Sequence, residues 1–333
     1  MPLLRINATD SGLLLHHDRS DALPRVARAT DNGNAPTIVM IHGYKYSPGD
    51  PLHCPHAKLF GPAGADWPRA LGYGGPLPSE GLGVAFGWSA RGPLHRIHRR
   101  ASGLGPSLAR LLCRLKTAAP RRPVHVIAHS LGSEIALSAL PHLPCRAIDR
   151  MLLLTGASFT GHAEAMLASP AGRTADVFNI VSRENDLFDL AFETLVRPER
   201  PGDRAIGQGI RAANVTNLQL DCDQTLAALA RYDVHIAAAE RRICHWSSYK
   251  RPGVMALYAQ MLRRPESLPL DALRRALPDR MDPRWSRLPQ PPSVISLWER
   301  ASSTLAQAPR VLKRKAALLT GAPVDPKRNT PAY

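Results

Sequence analysis

The sequence lacks a run of apolar residues long enough to cross a membrane, which takes about 18 in succession. Its first residues, MPLLRINATDSG, also lack a basic segment followed by an apolar core, so we expect no secretory signal. These two absences predict a cytoplasmic protein that lies, at most, peripherally on the inner membrane.

Cysteine is scarce, and its spacing forms no disulfide or ligand pattern. The odd number of five and the absence of any CxxC pair argue against a disulfide framework and for a reducing compartment. The segment HCPH at 53–56 offers two histidines and a thiol, but no fourth ligand follows at zinc-like spacing, so we expect no metal site. The cysteines are Cys54, Cys113, Cys145, Cys222 and Cys244.

Acidic residues are too few to balance the basic ones, and the formal net charge is +16. The excess is mostly arginine and is spread along the whole chain. No helix-turn-helix, RNA-binding strand motif or zinc finger accompanies it. We interpret the charge as compositional bias and expect no specific nucleic-acid partner.

Half of this net charge lies in residues 263–333, which carry 14 Lys and Arg, 6 Asp and Glu, and recurrent proline. The composition predicts a basic C-terminal tail, partly disordered, that follows a domain of residues 1–262. Such a tail could dock on an anionic membrane, with apolar anchors such as Leu297 and Trp298. A solvated tail, or a helix packed on the domain, is the alternative.

Within residues 1–262, apolar runs alternate with segments of helical periodicity. Continuous apolar runs are typical of strands buried on both faces, so the pattern predicts an α/β fold with a mostly parallel central sheet flanked by helices. The N-terminal segment 1–30 predicts an antiparallel hairpin at a sheet edge. The predicted strands are PTIVMIHGY, GLGVAFGW, PVHVIAHS, IDRMLLLTGAS, DVFNIVSREND and TNLQLD, and the clearest helices are SLARLLCRLKTAA, SLGSEIALSAL and GVMALYAQMLRR.

Two segments interrupt this alternation. Residues 45–81 are rich in proline and glycine and predict a long surface loop, whose aromatic residues Phe60, Trp67 and Tyr73 could line a pocket or cover the sheet. Residues 197–215 predict a polar excursion that could act as a lid.

The stretch VHVIAHSLGSEIAL places Ser130 between a predicted strand and a predicted helix. A sharp turn there lifts the hydroxyl above the carboxyl edge of the sheet, and the neighbouring positions Ala128 and Gly132 have the small side chains that close backbone approach requires. The helix that follows directs its free N–H groups at the site, so the N–H of Leu131 could stabilise an oxyanion. A serine that only caps the helix is the alternative.

With this nucleophile elbow the sequence resembles the α/β-hydrolases. The segment IVMIHGY is similar to the strand and oxyanion loop of that family, which implies a second donor in the N–H of Tyr44 and a turn shaped by His42 and Gly43. Uncharacterised bacterial relatives carry FGW and HW segments similar to FGWSARG and CHWSSY of this chain. Ala128 departs from the glycine usual in the elbow.

The resemblance also implies an acid after a later strand. Asp186, at the end of VFNIVSREND, fits that position, where it would hold an imidazole in the right tautomer. Asp189 and Glu184 are close competitors, and Asp221 is more distant.

The histidine of the family comes last, before the final helix. His245 in RRICHWSSYKRPG fits this position, and His235 is the alternative. The order Ser130, Asp186, His245 agrees with the order in the family.

These residues predict a serine hydrolase that cleaves a carboxylic ester or thioester of a small acyl substrate through a Ser-His-Asp triad and an acyl-enzyme, with no cofactor. One alternative is a lipase- or phospholipase-like enzyme at an anionic membrane surface. Another is a non-catalytic binding member of the fold. The oligomeric state stays open.

Overall fold

The central sheet has eight strands in a computed structural model that describes residues 3–29, 33–74 and 80–288. The strands are β1 Leu3–Thr9, β2 Gly12–Leu15, β3 Thr37–Ile41, β4 Leu82–Trp88, β5 Val124–His129, β6 Arg150–Leu154, β7 Asp176–Val181 and β8 Val215–Gln219. The helices are α1 Ala22–Ala29, α2 Pro55–Lys58, α3 Trp67–Ala70, α4 Leu94–Gly103, α5 Gly105–Ala118, α6 Gly132–Ala139, α7 Thr160–Leu167, α8 Asp186–Leu195, α9 Asp223–Ala230, α10 Ser247–Lys250, α11 Val254–Arg263 and α12 Leu270–Ala276. None of the helices in these ranges has the length and apolarity that a membrane span requires.

The strand order is β2-β1-β4-β3-β5-β6-β7-β8, and every neighbouring pair except β1 and β2 is parallel. The predicted α/β fold is therefore confirmed. At one edge of the sheet, β1 and β2 form an antiparallel hairpin that is shorter than the one predicted over residues 1–30, because α1 follows it. Ile41 of β3 pairs with Ala128 of β5, and Ala128 pairs with Leu153 of β6. The carboxyl ends of the central strands consequently lie side by side, where an α/β sheet places its ligands.

Both faces of the sheet are covered by helices, which explains why the strand sequences are continuously apolar. Val39 and Ile41 of β3 pack in the layer that contains α1 and α4–α8, whereas Ile38 and Met40 pack in the layer that contains α3 and α9–α12. Because side chains alternate along a strand, two apolar layers require apolar residues at every position.

The two interrupting segments are partly buried. In the loop 45–81, Phe60, Trp67 and Tyr73 are buried beneath the second layer, so they cover the sheet. In the excursion 197–215, Ile206 is buried and its carbonyl accepts a hydrogen bond of 2.8 Å from Asn179 Nδ2 of β7. This half of the excursion is therefore fixed to the sheet.

The compact unit extends to Arg287, whereas the sequence predicted a domain that ends at residue 262. Apolar residues at helical spacing make α12 amphipathic, and its Leu270 and Leu273 pack with Leu268 in the second layer. This part of the predicted tail therefore belongs to the domain. Residues 289–333, with the predicted membrane anchors, lie outside the described residues.

Candidate active site

Ser130 lies at the junction of β5 and α6 with a φ of +54°. A non-glycine residue with positive φ is strained, and such strain persists only where the surroundings fix it. Here the Ser130 N–H donates to the carbonyl of Leu154, and its carbonyl accepts from the N–H groups of Ser133 and Ala157, each at 3.0 Å. The strand–turn–helix geometry predicted for the nucleophile elbow is present.

Two glycines permit the loop after β3 to touch the elbow. A Cβ on Gly43 would lie 2.6 Å from Ser130 Cβ, and a Cβ on Gly132 would lie 2.8 Å from the carbonyl oxygen of His42. Contacts this short do not occur between real side chains and backbone, so both positions require glycine. Ala128 fits because it lies in the extended β5, where its methyl group is buried without strain.

His42 shapes the turn after β3. Its Nε2 accepts the backbone N–H of Trp88 at 3.0 Å, its Nδ1 donates to the carbonyl of Gly43 at 2.8 Å, and its own carbonyl accepts from Trp88 Nε1 at 2.9 Å. Burial lowers the pKa of His42 to about 3, so the ring is neutral. The FGW segment thus supplies the partner that fixes the predicted oxyanion loop.

The two predicted oxyanion donors come from the two loops that meet at the elbow. Leu131 follows Ser130 directly and precedes α6, while Tyr44 follows Gly43 and is held by a 2.5 Å hydrogen bond from its hydroxyl to the carbonyl of Gly92. Within the described ranges, neither backbone N–H donates to a protein acceptor. Among the described residues, no acceptor therefore competes with a ligand for these two N–H groups.

His245 reaches the elbow from the loop before α10. Its ring lies 4.7 Å from the ring of His129 and is stacked on Phe188 at 4.8 Å, both measured between ring centroids. The carbonyl of His245 accepts from His129 Nε2 at 3.3 Å and from Thr155 Oγ1 at 3.4 Å. The sequence predicted no role for His129. In the structure, its side chain contacts the loop that carries His245 and helps to hold that loop in place.

The side chain hydrogen-bonded to the His245 ring is that of Asn185, not that of the predicted Asp186. Asn185 Oδ1 lies 2.7 Å from His245 Nδ1. Since an amide oxygen can only accept, the proton of the neutral imidazole lies on Nδ1, and Nε2 is left as the basic nitrogen. No hydrogen bond joins His245 to Ser130 Oγ in the part of the chain that the structure describes.

Asp186 lies on another side of the turn. The 3₁₀ turn Arg183–Asn185 follows β7, and α8 begins at Asp186, so consecutive residues point in different directions. The carboxylate of Asp186 accepts the Trp285 N–H at 2.6 Å and lies 3.3 Å from Arg183 Nη1. Its role in the structure is to join Arg183 and the segment around Trp285.

The other predicted acids also face away from His245. Glu184 pairs with Arg251, and Asp221 accepts the backbone N–H of Arg183 at 3.0 Å. Asp189 Oδ1 accepts from Asn185 Nδ2 at 2.9 Å, so it contacts the histidine only through Asn185. The alternative histidine, His235, is exposed and lies 3.4 Å from Asp233.

The site is a desolvated one, and its pKa values reflect this. Burial lowers the pKa of His245 well below its usual range, and the neighbouring His129 lowers it further. The pKa of His129 is lowered to about 4, mainly by burial, and burial raises the pKa of Asp189 to about 8. At neutral pH both imidazoles are uncharged, and Asp189 is largely protonated.

The described residues contain no group of three or more metal-ligating side chains. In the HCPH segment, His56 Nε2 lies 2.7 Å from Asn7 Oδ1, and Cys54 Sγ lies 3.9 Å from His16 Nε2. These contacts fix the loop to the N-terminal hairpin.

Residues 26–183 match the profile of an α/β hydrolase family of unknown function (DUF900). The matched range contains Tyr44, Ser130 and Leu131 and ends before Asn185 and His245. Among solved structures, the chain is similar to the Trichoderma reesei cutinase in complex with a C11Y4 phosphonate inhibitor, with 12% identity and a TM-score of 0.22 over 41% of this chain and 64% of that chain. No curated protein shows significant sequence similarity to the chain. The predicted resemblance to the α/β-hydrolases is confirmed, and the family match supports a hydrolase.

Proposed function

We propose that the chain is a serine hydrolase that cleaves a carboxylic ester or thioester through an acyl-enzyme on Ser130. The observation that carries the proposal is the φ of +54° at Ser130, held between β5 and α6 with Gly43 against its Cβ. A helix cap needs no such strain, because capping residues normally have extended backbone. Strain of this kind is typical of a nucleophile that must stand clear of the sheet.

In the proposed reaction, Ser130 Oγ attacks the carbonyl carbon while its proton passes to His245 Nε2. The N–H groups of Tyr44 and Leu131 stabilise the oxyanion that forms, and the leaving alkoxide or thiolate departs with the proton from His245. Water then attacks the acyl-enzyme and gives a proton to the same nitrogen. The bond to Ser130 Oγ breaks, the carboxylic acid leaves, and His245 returns the proton to Ser130 Oγ. The catalytic hydrogen bond between Ser130 and His245 would form in the substrate complex, as it often does.

Asn185 takes the place of the acid in this proposal. It can fix the tautomer of His245, because its Nδ2 is already committed to Asp189 and its Oδ1 therefore faces the ring. It cannot stabilise the charged imidazolium as a carboxylate would. We therefore propose an orienting role for Asn185, with a weaker base than a Ser-His-Asp triad provides.

One observation favours a second function, that of a non-catalytic binding protein. None of the carboxylates discussed above contacts His245, so the charge that usually completes a triad is absent. In that case Ser130 would be unreactive, although its backbone geometry is that of an elbow.

Labelling with a fluorophosphonate, followed by intact-mass measurement, distinguishes a serine hydrolase from a non-catalytic binding protein. We expect one adduct on the wild type, none on Ser130→Ala, and one on Ser133→Ala. Ser133 is the matched control because it lies three residues after Ser130, in the first turn of α6, with its Oγ hydrogen-bonded to the carbonyl of Ala128. A folded wild type that takes no adduct would refute the hydrolase proposal and leave binding as the function.

A further inference from the structure

Helix α8 has the reverse of the polarity expected of a surface helix. Its carboxylates Asp186, Asp189 and Glu193 are no more than 7% exposed, whereas its Leu187, Leu190 and Leu195 are 41–59% exposed. A surface helix normally directs its charges to water and its leucines to the core. Because burying carboxylates and exposing leucines both cost free energy, this arrangement is not explained by stability.

The exposed apolar surface continues onto the loop that carries His245. The backbone N–H of Cys244 donates to the carbonyl of Glu184 at 2.9 Å, and the Trp246 ring lies 6.2 Å from that of Phe188. Among the described residues, six large apolar side chains are strongly exposed, and all but Leu52 belong to these two segments. We call this set the apolar rim: Leu187, Leu190, Leu195, Ile243 and Trp246.

Positive charge borders the apolar rim. Arg241, Arg242 and Lys250 are exposed, and Lys250 Nζ lies 6.0 Å from the centre of the Trp246 ring. The acids of α8 do not offset this charge, because they are buried and Glu193 is paired with Arg284 at 2.9 Å. Glu240 is the exposed acid on the same loop. The surface next to the site is therefore apolar at its centre and basic at its edge.

We propose that the apolar rim docks on the surface of an anionic phospholipid membrane. Leucine and tryptophan side chains would enter the boundary between headgroups and acyl chains, while Arg241, Arg242 and Lys250 would contact the headgroup phosphates. Apolar burial combined with attraction to anionic lipid is how peripheral proteins bind membranes. This proposal goes beyond the hydrolase proposal, because the docking does not involve Ser130.

Charge argues against two other occupants of the apolar rim. A second copy would bring its own basic border against this one, and each copy has a net charge of +16. Residues 289–333 carry seven Lys and Arg against two Asp and Glu, so they also have the wrong sign. An anionic surface is the partner whose charge complements the border.

Vesicle co-sedimentation of the full chain tests the proposal. The vesicles are phosphatidylcholine, either pure or with about 30% phosphatidylglycerol, an anionic lipid. We expect the wild type to bind the anionic vesicles, and the double variant Leu190→Gln, Leu195→Gln to bind them at least tenfold more weakly. Leu52→Gln is the matched control, since Leu52 is 73% exposed but lies away from these segments, and it should bind like the wild type.

The variant Arg241→Ser, Arg242→Ser should lose affinity for anionic vesicles several-fold. Ser130→Ala should bind like the wild type, so a failed hydrolase proposal leaves this test intact. Equal binding by the wild type and the double leucine variant would overturn the proposal, as would a wild type that does not bind anionic vesicles. A wild-type dimer that the leucine substitutions convert to a monomer would also overturn it, in favour of a second copy.

Discussion

Replacing Asn185 by aspartate tests the hydrogen-bond chain from Asp189 to His245. Asn185 Oδ1 lies 2.7 Å from His245 Nδ1, so a carboxylate at this position would form a direct ion pair with the imidazolium. Asp189 does not oppose the change, because burial raises its pKa to about 8 and its protonated form can donate to the new carboxylate.

The sign of the effect follows from the charge. An opposite charge at this distance raises the pKa of a histidine by about 1–3 units. In the wild type, burial and His129 hold the pKa of His245 well below its usual range, so the acid limb of kcat/KM should lie well below pH 6.5. In Asn185→Asp this limb should move up by about 1–3 pH units, and kcat/KM at pH 8 should rise on the order of tenfold, because the imidazolium of the transition state gains a partner.

The assay is hydrolysis of p-nitrophenyl butyrate across pH 4–9 at constant ionic strength, and Asp186→Asn is the control. Asp186 is bonded to the Trp285 N–H and to Arg183, so its substitution should leave the acid limb where it is. The reasoning is refuted if Asn185→Asp moves the limb by less than about 0.3 pH units while Asp186→Asn moves it. Asp186 would then be the residue that acts on His245.

Two further predictions concern the elbow and the buried histidines. Gly43→Ala should lower kcat/KM about a hundredfold and also lower the melting temperature, because its Cβ would collide with Ser130 and with the carbonyl of His129. Gly103→Ala, which meets no atom within 4 Å, should keep full activity and melt no lower. The melting temperature should fall steeply below pH 6.5, because five desolvated histidines bind protons only when the chain unfolds. Asp189 acts in the opposite sense and leaves about four protons, or about 5 kcal/mol per pH unit near pH 5. Circular dichroism melts from pH 7.5 to 4.5 measure this dependence on pH, and a flat profile contradicts it. The histidines are His245, whose pKa lies well below its usual range, and four whose pKa values are lowered to between about 2 and about 4, namely His42, His56, His125 and His129.

The strands and the elbow were predictable because each rests on local sequence. A strand buried on both faces is apolar at most positions, and β3 to β6 have that composition, apart from Thr37, His125, His129 and Arg150. A serine between such a strand and a helix lies in a sharp turn, so Ser130 could be located at the elbow without the structure. The same local reasoning located α11 but placed the domain boundary too early, because proline-containing segments around α12 resemble a linker.

The partner of His245 was not predictable in the same way. Asn185 and Asp186 are adjacent, and the sequence favours the aspartate because it has the charge that the chemistry usually needs. The direction of each side chain depends on the 3₁₀ turn after β7 and on Arg183 and Trp285, which hold Asp186 on the other side. Which of the two side chains faces His245 therefore depends on the position of the segment around Trp285, about 100 residues later in the chain.

The orientation of α8 also could not be predicted from the sequence. A helix with leucines on one side and carboxylates on the other has the same periodicity whichever side faces the protein, so the pattern alone favours buried leucines. In this structure, two cations reverse that preference. Arg183, in the turn that precedes the helix, lies beside Asp186, and Arg284 of a distant segment lies beside Glu193. The inward acids bring Asp189 to Asn185, and the outward leucines form the apolar rim. The residues that orient His245 and the surface proposed to meet the membrane therefore depend on one orientation of one helix. A charge reversal such as Arg284→Glu should disturb both together.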